Sequence, residues 1–82
     1  DGHWAEIILH ADKDGAFKAL EVSQEIPAQI IERDLWVKED DKVNAFHGAN
    51  DAIGTLVLRF ENETDLSSVL DQPTKWIKVV VE

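Results

Sequence analysis

The chain has no cysteine and no methionine among its 82 residues. Without cysteine it can form neither a disulfide framework nor a thiolate metal site, so its stability must come from packing. No apolar run approaches the roughly 18 residues that a membrane-spanning helix needs, and the first residues lack the basic and apolar regions of a signal peptide. We therefore expect a single cytoplasmic domain. Because not even position 1 is methionine, we expect this domain to be excised from a longer protein, with a processed chain as the alternative.

Basic residues are scarce as well. Eight Lys and Arg stand against seventeen Asp and Glu, which gives a formal net charge of -9. Nucleic acids and anionic membranes are bound through clustered Lys and Arg, and here the basic residues are scattered. We therefore expect neither a nucleic acid nor a membrane as a partner, and we interpret the acidity as a feature that keeps a cytosolic domain soluble.

Apolar segments separated by short turns predict a protein built mostly of strands. Residues 4–11 and 16–22 are rich in strand-forming residues, and the connection Asp12-Lys13-Asp14-Gly15 has the composition of a hairpin turn. The sequence therefore predicts an N-terminal β-hairpin. Further strands are predicted over residues 30–38, 43–46, 53–61 and 76–81.

The strand predicted over residues 53–61 has the clearest pattern. Side chains alternate between the two faces of a strand. Leu56, Leu58 and Phe60 therefore point to one face, which we expect to be the core.

One helix is predicted near residues 64–72. Asn62 or Thr64 is a suitable N-cap, and Pro73 ends the helical segment. The predicted fold is α+β, with a mainly antiparallel sheet of about five strands: the N-terminal hairpin, central strands and a C-terminal strand. The helix packs on one face of this sheet.

A calcium-loop pattern overlaps the first turn. His10, Asp12, Asp14, Gly15 and Glu21 fit the template D-x-[DN]-x-[DN]-G-x5-E, except that histidine replaces the first aspartate. An EF-hand also needs a helix on each side, whereas both flanks here have the pattern of strands. An acidic β-turn is the favoured interpretation, and calcium binding through Asp12, Asp14 and Glu21 is an alternative.

Other catalytic patterns are absent from the sequence. It has no G-x-S-x-G nucleophile motif, and its four glycines do not form a phosphate-binding motif. The sequence therefore predicts no catalytic, cofactor-binding or metal residue in this chain.

A turn motif follows the third predicted strand. Val37, Asp41 and Val43 match a V-x-P-G-D-x-V turn, in which Glu39 and Asp40 replace the Pro and Gly. Because aspartate tolerates the left-handed backbone conformation at modest cost, we expect Asp40 to adopt the conformation that glycine would supply.

The following loop and helix complete this pattern. Their matching residues are Asn50, Asp51, Ile53, Gly54, Asp65 and Val69. Together with the turn, they resemble the C-terminal subdomain of ATP-grasp ligases, a superfamily that includes biotin carboxylase, carbamoyl-phosphate synthase and carboxylate–amine ligases. The shape most resembles bacterial carbamoyl-phosphate-synthase-like proteins.

The resemblance implies a non-catalytic C-terminal structural module of an ATP-dependent ligase. Its partners would be the remaining subdomains of the parent chain, which would also hold ATP and magnesium, so no cofactor is expected in this chain. The loop formed by Gly48, Ala49, Asn50 and Asp51 would lie at the edge of the substrate side. A free-standing acidic protein-binding module is one alternative, docking through an exposed tryptophan or through the edge of the strand at Trp76–Val81. A small calcium-binding domain is the other.

Overall fold

The computed structural model describes residues 2–45 and 51–82. In this part of the chain the order of elements is strand, strand, strand, strand, strand, helix, helix, strand. The elements are β1 (His3–His10), β2 (Gly15–Val22), β3 (Gln29–Leu35), β4 (Lys42–Val43), β5 (Ala52–Phe60), α1 (Glu63–Asp71), α2 (Pro73–Trp76) and β6 (Ile77–Val81).

The strands form two three-stranded sheets with the orders β1-β5-β3 and β4-β2-β6. Neighbouring strands within each sheet are antiparallel. The α+β class and the mainly antiparallel pairing are therefore confirmed. The expectation of one sheet of about five strands is wrong, because the described residues form six strands divided between two sheets.

The predicted N-terminal hairpin is also wrong, because β1 and β2 lie in different sheets. β1 pairs with β5, whereas β2 pairs with β4 and β6. The connection between β1 and β2 does not close a hairpin and instead contacts a distant part of the chain. Asp14 Oδ1 accepts a hydrogen bond from the backbone N–H of Ala45 at 2.7 Å. Gly15 has a φ of +153°, and a Cβ there would lie 2.3 Å from the carbonyl oxygen of Glu82. This glycine therefore serves close packing against the C-terminal end of the chain.

The core lies between the sheets and centres on β5. Leu56, Leu58 and Phe60 are almost completely buried, and Arg59 on the opposite face is exposed, which confirms the predicted alternation. Fully burying such a side chain contributes roughly 1.5–3 kcal/mol. The other buried core residues are Leu9, Ala11, Phe17, Leu20, Val43, Ile53, Val69, Ile77 and Val81.

Helix α1 confirms the predicted helix near residues 64–72. Asn62 is its N-cap, and its Oδ1 accepts a hydrogen bond from the backbone N–H of Asp65 at 2.8 Å. Val69 is fully buried and anchors the helix against the sheet core. Pro73 occupies the first position of α2, where its missing N–H costs no helical hydrogen bond. Neither helix of the described residues is long and apolar enough to cross a membrane.

Gly54 in β5 permits the close approach of β3. Its φ is +159°, and a Cβ at this position would lie 2.3 Å from the backbone carbonyl oxygen of Asp34. Relieving that overlap requires the paired strands to separate. Glycine therefore suits position 54 for two reasons: its backbone conformation and the lack of space for a side chain.

Replacing this glycine tests the close approach. We expect Gly54→Ala to lower the free energy of unfolding by at least about 2 kcal/mol, because it adds backbone strain and a backbone overlap. Urea denaturation followed by circular dichroism measures the change. Gly2→Ala is the control: its Cβ would meet only side-chain atoms, the nearest at 3.2 Å, so we expect a change within about 0.5 kcal/mol. Equal urea midpoints for the two variants would contradict the explanation.

A second pair of variants distinguishes the two N-cap candidates. Asn62→Ala removes the acceptor for the Asp65 N–H, so we expect a loss of about 1 kcal/mol in unfolding free energy. Thr64 lies inside α1, and we expect Thr64→Ala to change stability by less than about 0.5 kcal/mol. A larger loss in the Thr64 variant, measured by thermal denaturation, would show that the cap is assigned to the wrong residue.

Candidate functional site

The acidic residues of the calcium pattern are not brought together. Asp12 and Asp14 lie in the connection between β1 and β2, whereas Glu21 lies near the far end of β2, opposite Lys78 of β6. A strand rises about 3.3 Å per residue, so seven residues carry Glu21 roughly 23 Å along the chain from Asp14. Among residues 2–45 and 51–82, no group of three or more His, Asp or Glu side chains is placed to hold a metal ion.

The predicted substrate-edge loop falls mainly outside the described residues. Gly48, Ala49 and Asn50 belong to the part that the structure does not describe. Asp51 is described and immediately precedes β5. The loop prediction therefore stays a prediction.

The acidic turn at residues 38–41 is fixed by hydrogen bonds within itself. The backbone N–H of Asp41 donates to the carbonyl oxygen of Lys38 at 3.0 Å, and the Asp41 carboxylate accepts from the backbone N–H of Lys38, also at 3.0 Å. Asp40 has a φ of 76°, which confirms the left-handed conformation that the sequence predicts. This is the third position of the turn, where a positive φ is required in a type II turn.

The same turn is attached to β2. The backbone N–H of Asp40 donates to the carbonyl oxygen of Phe17 at 2.7 Å, and the N–H of Phe17 donates to the carbonyl oxygen of Asp41 at 2.8 Å. Because Phe17 is buried in the core, the turn is held at a fixed place on the second sheet.

Lys18 forms an ion pair with this turn. Its Nζ donates to the Asp40 carboxylate and lies 3.8 Å from a carboxylate oxygen of Glu82. The hydrogen bond to Asp40 is the main cause that raises the pKa of Lys18 above its ordinary value of 10.5, and the negative charges of Asp40, Glu82 and Glu39 act in the same direction. The shift therefore arises from a surface ion pair that joins the turn to β2.

One face of the sheet β1-β5-β3 carries exposed aromatic and apolar side chains. Strand register places its side chains in three rows across β1, β5 and β3: Trp4, Arg59 and Gln29; Glu6, Val57 and Glu32; and Ile8, Thr55 and Asp34. Trp36, just after β3, extends the last row, because its Nε1 donates to the Asp34 carboxylate at 3.2 Å. We call this set of ten residues the outer face.

The outer face combines aromatic surface with negative charge. Trp4 is 53% exposed, Ile8 52% and Trp36 57%. Glu6, Glu32 and Asp34 carry its negative charge. Large apolar side chains exposed on one sheet face are typical of an interaction surface.

Arg59 is the one basic residue of the outer face. Its guanidinium carbon lies 5.9 Å from the centroid of the Trp4 ring, within the range of a cation–π contact. The contact joins two side chains of the same row, and Trp4 stays 53% exposed beside it.

The sequence suggested an exposed tryptophan as a docking residue but did not identify which one. Trp4 and Trp36 are exposed, whereas Trp76 is partly buried against the core. The remaining members of the outer face were not predicted as a group. What these residues share is that they occupy alternate positions on β1, β5 and β3. This pattern identifies a common face only when the pairing of the strands is known.

An alkaline titration tests the ion pair of Lys18. Because the folded pKa is raised above the unfolded one, the pair's stabilisation is complete below the unfolded pKa and is lost as pH rises through the folded pKa. We expect Asp40→Asn, which retains tolerance for the left-handed backbone, to return the pKa of Lys18 toward 10.5. We also expect the stability difference from the native sequence to be constant near neutral pH and to shrink above about pH 10.5.

NMR titration of the Lys18 side chain and urea denaturation at several pH values measure both effects. Asp12→Asn is the matched control, because it removes an exposed carboxylate that is not among the groups raising the Lys18 pKa. An unchanged Lys18 titration in Asp40→Asn would refute the assignment.

Comparisons with known proteins give a likeness in structure. No protein-family model and no curated protein sequence matches the chain. Among solved structures, phosphoribosylglycinamide synthetase from Anaerococcus prevotii is similar, with a TM-score of 0.64 and 22% sequence identity. The match covers 96% of this chain and 20% of that enzyme's chain. The chain therefore spans about one-fifth of the length of that synthetase, and the likeness shows that the two share a fold over this part.

Proposed function

We propose that the chain is a non-catalytic module of a longer ATP-dependent ligase, of the carbamoyl-phosphate-synthase-like or carboxylate–amine ligase kind. It braces the ATP-grasp core and shapes the edge of the substrate side. The observation that carries this proposal is the match of nearly the whole chain to one-fifth of a synthetase. A small fold that recurs as part of a larger enzyme is well suited to be one of its subdomains.

The character of the described side chains favours a structural role. In residues 2–45 and 51–82 the buried side chains are apolar, and no charged or polar residue is buried. Catalytic groups usually have pKa values perturbed by burial or by a neighbouring charge inside a cleft. The raised pKa of Lys18 is explained by its surface ion pair with Asp40.

ATP and magnesium belong to the parent enzyme in this proposal. The described residues do not fit either group, because they contain no cluster of three acidic or histidine ligands, and the chain has no glycine-rich phosphate motif. We therefore assign both to the remaining subdomains of the parent. No chemical step is assigned to a residue of this chain.

An acidic protein-binding module is the second candidate. The exposure of Trp4 and Trp36 on one sheet face favours it. The two candidates differ in the partner: a separate protein for the binding module, and the same polypeptide for the ligase module. The reading frame that encodes the chain distinguishes the two candidates, because the ligase module requires an ATP-grasp core in the same reading frame and the free-standing binding module does not.

Nucleotide binding provides the direct test. We expect isothermal titration calorimetry to detect no saturable binding of Mg-ATP to the 82-residue chain, and we expect the whole encoded polypeptide to bind it through an ATP-grasp core. Calcium chloride provides the comparison for the metal alternative, and we expect no shift in the melting temperature. Saturable Mg-ATP binding by the 82 residues alone, or a reading frame without an ATP-grasp core, would refute the ligase proposal.

A further inference from the structure

We infer that the outer face is the surface through which this module docks on the rest of its parent ligase, and that the docked surface is apolar with basic residues at its rim. This inference rests on the proposed function and adds to it the docking face and the chemistry of the partner surface. Three observations carry it: the position of the exposed apolar side chains, the sign of the charges among them, and the extent of the structural match.

The three most exposed of the large apolar side chains in the described residues, Trp4, Ile8 and Trp36, belong to the outer face, whereas Ile30, Ile31 and Leu70 are exposed outside it. Trp4 and Ile8 lie on the same side of β1, and Val57 is half-buried on the central strand. Trp36 extends this surface beyond the end of β3. Tryptophan is enriched among the residues that dominate interface energies, because it buries a large area and loses little side-chain entropy.

The charges of the outer face select the kind of partner. Register places Glu6 and Glu32 on either side of Val57, and Asp34 lies in the next row. With Arg59 as its one basic residue, the outer face keeps a net negative charge. Two copies of this chain docked face to face would therefore bring two negative surfaces together, which like-charge repulsion opposes. A surface that carries Lys or Arg opposite these carboxylates would complement them.

The extent of the structural match to the synthetase indicates that the complementary surface would belong to the same polypeptide. This fold occupies 20% of the similar synthetase chain, so four-fifths of that polypeptide lies outside it. A module that belongs to such an enzyme has its partner in the same chain, at a high effective concentration. Modest complementarity across the outer face is therefore enough to hold the module in place.

Thiol alkylation in the whole polypeptide tests the docking face. These 82 residues contain no cysteine, so Ile8→Cys gives this module one thiol on the outer face, and Ser68→Cys gives it one at an exposed position of α1. Each is read from its own peptide, which separates it from any cysteine elsewhere in the polypeptide. Alkylation by iodoacetamide is followed by peptide mass spectrometry and normalised to the rate in urea. We expect position 8 to be slowed at least about tenfold, the ratio that roughly 1.4 kcal/mol of docking free energy gives, and position 68 by less than about twofold.

Reversing a charge on the outer face tests the predicted basic character of the partner surface. We expect Glu32→Lys, combined with Ile8→Cys, to restore most of the alkylation rate at position 8, because a basic partner surface would then be repelled. Glu25→Lys makes the same change of charge at an exposed position outside the outer face and should leave the protection intact.

Either of two findings would overturn the inference. The first is the same degree of protection at positions 8 and 68, whether both are reactive or both are protected. The second is protection that depends on protein concentration, which would identify a second copy as the occupant. If the whole polypeptide binds Mg-ATP while position 8 stays reactive, the docking face is wrong and the ligase proposal stands. If the polypeptide lacks an ATP-grasp core, the ligase proposal itself fails.

Discussion

The burial of β5 is the constraint on which the rest of the structure depends. This strand pairs with β1 along one edge and with β3 along the other, and its inward side chains Leu56 and Leu58 are fully buried. A domain of this size has little core to spare, and without cysteine it has no covalent crosslink to replace one. Gly54 lets the backbone of β3 approach closely enough to complete the pairing. The positions of the outer-face residues on β1, β5 and β3 follow from this register.

The features that could be predicted from the sequence are those set by neighbouring residues. Side-chain alternation in β5 depends only on strand geometry, so Leu56, Leu58 and Phe60 were assigned correctly to the core. The left-handed backbone of Asp40 was predictable because a turn of that shape requires a positive φ. In both cases the physical cause lies within a few residues of the effect.

Strand pairing could not be predicted in the same way, because its causes are distant in sequence. The connection before β2 has the composition of a hairpin turn, but Gly15 packs against Glu82 at the other end of the chain. Asp14 is likewise hydrogen-bonded to Ala45. Local turn composition therefore indicates where the chain changes direction, and long-range packing decides which strands meet.

The outer face could not be predicted from the sequence because of the composition of β1. Apolar residues occur on both sides of this strand, so alternation alone does not tell which side is the core. In the structure Leu9 is buried and Ile8 is exposed, although both are large and apolar. Exposed apolar area of this kind invites self-association in a small domain. The carboxylates of Glu6 and Glu32 oppose that association by like-charge repulsion, and under the docking proposal the same carboxylates would complement a basic partner surface.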